Sequence, residues 1–191
     1  MATSIDGNSI NLGSVTLSSS GTTFANSAAS VTDAPAGSVV QSATTTASGA
    51  VATSSDGPNA SGLITTLTPR LSGSKFLTIL SGVTAHSNKT SADNHGTIYY
   101  MYVSVAGGSY ANITSNVIQS HHVDGALGAW IDVPLTTTFL STPTYKLGNT
   151  VAFQTYYARA TSSSGTVYFH HTGHSAAASQ VYNLTVLEIA S

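Results

Sequence analysis

Residues 150–160 read TVAFQTYYARA, and this stretch decides the class of fold. Val151, Phe153, Thr155 and Tyr157 fall on one side of an extended chain and Thr150, Ala152, Gln154 and Tyr156 on the other, because successive side chains of a strand point to opposite faces. The first set predicts a face turned to a core. Apolar residues at helical intervals of three and four are nowhere sustained in the chain.

Outward from this stretch, seven further runs carry the same β-branched and aromatic signature between clusters of Gly, Asn, Ser and Pro. They are Leu63 to Leu67, Lys75 to Val83, Thr97 to Val105, Ile113 to Gln119, Ala129 to Leu140, Thr166 to His171 and Gln180 to Ile189. Eight strands without a helix predict an all-β fold, an eight-stranded antiparallel jelly-roll sandwich over residues 63–191, which limits exposed edges without closing a barrel. In the last run Val181, Thr185, Leu187 and Ile189 share one face, and Tyr182, Leu184, Val186 and Glu188 the other. Both sets are largely apolar, as are both faces of Tyr99 to Tyr102 (YYMY). Such strands in an antiparallel two-sheet fold predict an outer face covered by another subunit.

Upstream the character changes. Of the fifteen aromatic residues only Phe24 precedes Phe76, so the first 75 residues lack the large side chains that dominate a core. Ala34 to Gly62 is a low-complexity run of Ala, Ser, Thr and Gly, expected to be a linker or an arm ordered only against a partner. Before it, Ile5, Ile10, Leu12, Val15 and Leu17 lie among the turn signals Asp6-Gly7 and Gly13. Short strands there are too small to stand alone, and pairing with neighbouring copies or a docking surface is expected. Residues 1–62 thus read as a low-complexity, partly β N-terminal arm. No heptad repeat predicts a coiled-coil stalk.

Charged residues make up 6% of the chain, against about 25% in an average globular protein, so hydroxyls rather than charges must wet the surface. Five Lys and Arg against seven Asp and Glu cannot form the basic stripe that phosphate neutralisation needs, so no nucleic-acid partner is expected. There is no cysteine, and hence no disulfide framework, thiolate metal site or cysteine nucleophile. No apolar run is long enough for a membrane helix and no basic, then apolar leader opens the sequence. No membrane partner is therefore expected, and synthesis in the cytoplasm is. The sequons at Asn59, Asn88, Asn112 and Asn183 are no more than a chain so rich in Ser and Thr yields by chance.

Seven histidines are the one unusual chemical resource, notably His121-His122 and His170-His171 followed by His174. Neighbours on a strand point oppositely, so only one of each pair can join a given site. Copies of one His gathered on the symmetry axis of an oligomer would suit a transition metal, but exposed or interfacial histidines are the expectation, with no bound metal and no other cofactor. The carboxylates show no glycosidase-like spacing, and Glu188 is expected to cap a strand edge. His122 with Asp124 and a serine makes a triad only on paper, because no G-x-S-x-G elbow occurs. No catalytic residue is assigned and the chain is expected not to be an enzyme.

Recognition is expected on loops carried by a rigid scaffold. Tyr110, in the turn Gly107-Gly108-Ser109-Tyr110, is a candidate receptor or surface contact. So are His95, in the polar connection Ala85 to Gly96, and His121, His122 and Asp124, in the connection His121 to Gly128. Trp130 and Phe153, inside strand runs, are expected in the core.

A set of features from Gly62 to Ala190 resembles the C-terminal domains of phage tail-fibre and head-decoration proteins. These are Leu67-Thr68-Pro69 followed by Ser74-Lys75-Phe76-Leu77, then Tyr145-Lys146-Leu147 ahead of Val151 to Tyr157. Gly165-Thr166-Val167-Tyr168 and the ending Asn183-Leu184-Thr185-Val186-Leu187-Glu188-Ile189-Ala190 complete it. The resemblance implies a trimeric jelly roll broadly like the tumour necrosis factor fold, in a bacteriophage virion structural protein on the virion surface. It implies a homotrimeric capsid decoration or cement protein, attached to the major capsid protein or a tail protein through the N-terminal arm. The other expectation is a tail-fibre tip that recognises a host surface glycan or protein.

Overall fold

The computed structural model describes residues 5–6, 9–11, 16–18, 34–89, 97–113, 130–159, 165–170 and 181–191. They form thirteen strands in three antiparallel sheets. The smallest is a meander of β1 (Ile5–Asp6), β2 (Ser9–Asn11) and β3 (Thr16–Ser18). These pair with one another.

The largest sheet is organised by one long strand, β7 (Lys75–Lys89). One side of it pairs with β10 (Trp130–Ser141) from Phe76 to Asn88. Its first half also pairs with β13 (Val181–Ile189), which pairs onward with β4 (Val39–Ser48). Its last residues pair with β12 (Gly165–His170), which is followed by β5 (Val51–Thr53). The change of partner follows Gly82, whose φ is +74°. A Cβ there would lie 2.7 Å from the Val181 carbonyl oxygen, so only glycine permits this close approach.

The third sheet runs β6 (Asn59–Leu67), β11 (Val151–Arg159), β8 (Thr97–Val105) and β9 (Ala111–Asn112). The inner faces of the two larger sheets share one core. Phe76, Leu80 and Val83 of β7, with Leu184 and Val186 of β13, belong to the same cluster as Leu63 of β6, Met101 of β8 and Phe153 of β11. The face predicted from residues 150–160 is buried throughout: Val151, Phe153, Thr155 and Tyr157 are all inward.

The low-complexity run is part of this architecture. The boundary expected at residue 62 falls inside β6, and β4 is hydrogen-bonded to β13 along nearly its whole length. Its period-2 pattern is written in small residues. Ala43 and Ala47 pack against the core, whereas Thr44 and Thr46 face outward and hydrogen-bond to Thr185 Oγ1 (2.9 Å) and Asn183 Oδ1 (2.6 Å). An edge strand near the rim of a core needs little volume, so the absence of aromatics does not prevent strand formation. Together β4 to β13 make ten strands in the two larger sheets, against the eight expected.

Other boundaries move as well. β7 continues to Lys89, so the first part of the expected loop 85–96 is strand. A two-residue strand lies at Ala111–Asn112; of the run expected at 113–119 only Ile113 belongs to the described residues.

Candidate functional site

Strand β8 sorts its side chains by alternation: Thr97, Tyr99, Met101 and Val103 are buried, and Tyr100 and Tyr102 stand on the outer face, half-buried. Opposite them β11 presents Ala152, Gln154 and Tyr156 on the same outer face. The register sets Tyr156 between Ala60 and Tyr100, and Gln154 between Ile64 and Tyr102. The Tyr102 and Tyr156 rings stack diagonally, with centroids 4.0 Å apart and planes at 26°. Tyr100 meets Tyr102 edge-on at 6.5 Å, and Tyr110 lies 6.3 Å from Tyr156. Gln154, roofed by these larger neighbours, is buried although it points away from the core.

Tyr110 is delivered to this face by a fixed turn. Ala106 (φ 54°) and Gly107 (φ 73°) both adopt the left-handed conformation, as a primed β-turn requires. The Gly108 amide donates to the Val105 carbonyl at 3.0 Å, the Ala106 amide to the Thr150 carbonyl at 2.8 Å, and Ser104 Oγ to the Gly108 carbonyl at 2.5 Å. Partial burial pushes the phenols of Tyr100 and Tyr110 up from their ordinary value, and the neighbouring phenols of Tyr102 and Tyr156 add to it. Tyr100 and Tyr110 therefore keep their hydroxyl protons, and a phenol hydroxyl can both donate and accept.

Of the candidates read from the sequence, Tyr110 is thus set among three other tyrosines. His95, His121, His122 and Asp124 lie outside the described residues, as do His171 and His174. Sequence reasoning missed Tyr156 as a member of the face. The signal was its place on the side of residues 150–160 opposite Phe153.

Two other calls meet different surroundings. His170 is buried rather than exposed; its Nδ1 accepts the Thr84 amide at 3.1 Å and its ring lies 4.5 Å from Tyr182. A register shift between Tyr168 and His170 lets both Phe169 and His170 turn inward, which strict alternation forbids. Nδ1 as acceptor places the ring proton on Nε2.

Glu188 does not cap a strand edge but is fully buried on the central strand β13. Its carboxylate accepts from the Arg70 and Leu71 amides (3.0 Å each), Ser74 Oγ (2.8 Å) and Gln41 Nε2 (2.6 Å). Gln41 also donates to the Thr68 carbonyl, while Tyr145 Oη donates to the Leu71 carbonyl and accepts the Ser74 amide. The connection from Thr68 to Ser74 is thereby clamped from three directions. The network ties residues 68–74 to β4, to β13 and to Tyr145.

Among the described residues no three His, Asp or Glu side chains gather where they could hold a metal ion. Comparison with protein-family models finds none that matches this chain, and comparison with curated proteins likewise finds no match.

Proposed function

We propose that the protein is a non-enzymatic structural component of a bacteriophage virion, a homotrimeric jelly-roll capsid decoration or cement protein at the virion surface. The observation that carries this reading is the outer face of the largest sheet. In register, Leu187 lies between Ser42 and Leu77, Leu77 pairs with Leu140, and the next rows add Ile79 and the pair Ile189–Val39. Leu140 is 62% exposed and Val39 58%. Six neighbouring apolar side chains on one sheet face form the kind of patch that marks an association surface. Beside them Thr44, Thr46, Asn183, Thr185 and Thr138 supply uncharged hydrogen-bonding groups, and Lys75 is the one charge in these rows. A second copy can approach such a face without like-charge repulsion.

The assignment to a virion rests further on the resemblance of residues 62–190 to phage fibre and decoration domains, and on a composition suited to life in a large particle. The residues before β4 then serve as the attachment to the capsid. Quantitative mass spectrometry of purified virions tests this. Decoration requires hundreds of copies per particle, and particles lacking the protein should burst sooner on heating or osmotic shock. A few copies confined to the tail, with unchanged capsid stability, would instead support the second reading, a fibre tip bound to a host receptor. The tyrosine face favours that alternative.

A further inference from the structure

The outer faces of the two larger sheets point in opposite directions, so subunits that join through the Leu77–Leu140–Leu187 face leave the tyrosine face outward. On this basis, which rests on the assembly proposed above, we infer that the face formed by Tyr100, Tyr102, Tyr110 and Tyr156 binds an uncharged, polyhydroxylated ligand, a neutral oligosaccharide.

Three observations select this class. The registered rows across the face hold Ala60, Ile64, Thr66, Ala152, Ser104 and Asn112 beside the tyrosines and Gln154, with no carboxylate, ammonium or guanidinium among them. An acidic glycan or phosphorylated ligand would need a cation to replace its hydration, and a charged protein surface would need opposite charges. Phenol side chains offer apolar ring surface and hydroxyls that donate and accept, which is what alternating C–H and O–H groups of a sugar require. Lastly, the rings are held before any ligand arrives. Tyr102 and Tyr156 stack on each other, and the Ala106-Gly107 turn fixes the approach of Tyr110. Little side-chain freedom remains to be lost on binding. The ring planes differ by 26° to 77°, so the site suits the uneven edge of an oligosaccharide rather than a flat crystalline surface.

The test is an array of neutral and sialylated oligosaccharides probed with the full chain, followed by calorimetry on the best neutral hexasaccharide, with native mass recorded for every variant. Tyr110→Phe removes one hydroxyl from the turn, and Tyr102→Phe removes one from the stacked pair while keeping its ring. Each should weaken binding about threefold to tenfold, and Tyr110→Ala by more than Tyr110→Phe, with the native mass unchanged. Binding confined to sialylated members, absence of binding to any neutral member, or affinities indifferent to the tyrosine variants would overturn the inference. So would a change of native mass in Tyr110→Ala, which would mean that a second copy covers this face. Tyrosine-dependent sugar binding by a monomeric chain would leave the site standing and defeat the proposed assembly, so the two failures are distinct.

Discussion

Glu188 is the only glutamate in the chain, and its burial makes it the residue with most to lose. Glu188→Gln keeps the shape but turns an amide NH2 toward groups that are themselves donors. The expected cost is about 3 kcal/mol, the scale of breaking a buried charged hydrogen-bond network. At roughly 3 °C per kcal/mol for a chain of this size, the melting temperature should fall by about 9 °C. Ser74→Ala, which removes one of several donors, should cost about 1 kcal/mol by the same denaturation measurement. The buried phenols set a second expectation. Burial pushes Tyr157 up to about 12, and Tyr99 and Tyr182 also rise for the same reason. The folded state thus holds these protons more tightly than the unfolded chain, whose phenols ionise near about pH 10. The stabilisation is complete below that pH and is lost as pH climbs from 10 toward 12. A spectrophotometric titration should show a group of tyrosines that ionises only together with loss of the fold. Ionisation of all nine tyrosines in one step near pH 10, with the fold intact, would contradict the burial.

The strands teach where a sequence is legible. Alternating large side chains placed β8, β11 and β13 within a residue or so of their positions, because core strands must carry volume at every second residue. The same habit concealed β4, whose alternation is between alanine or threonine and more threonine or serine, and β5, only three residues long. It also concealed the bulge that turns both Phe169 and His170 inward, since register shifts depend on the partner strand. The candidate site was half-readable. Tyr110 announced itself by its turn, but its neighbours Tyr100, Tyr102 and Tyr156 come from distant strands whose pairing no local pattern states. Two substitutions test these elements. Ala43→Asp places a charge where β4 packs against the core and should destabilise by roughly 2 to 3 kcal/mol; an unchanged midpoint in urea would mean that β4 is a dispensable arm. Gly82→Ala forces a Cβ against the Val181 carbonyl at a left-handed backbone position, and should cost about 2 kcal/mol or more.

For the whole molecule, the proposed assembly and the proposed ligand site fall on the two opposite outer faces. Threonine ladders and an apolar patch on one sheet suit contact with copies of the same chain, and a neutral tyrosine face on the other suits a ligand from outside. Six per cent charge is a poor guard against association for a free monomer, but an economical one for a subunit whose exposed strand faces are covered by its neighbours. The proposed closure of the Leu77–Leu140–Leu187 face by other copies is tested by native mass spectrometry of the purified chain. The expected particle holds three chains of 19.4 kDa each, reduced to single chains by Leu140→Asp. A single-chain mass for the unaltered protein, or a trimer indifferent to Leu140→Asp, would contradict it.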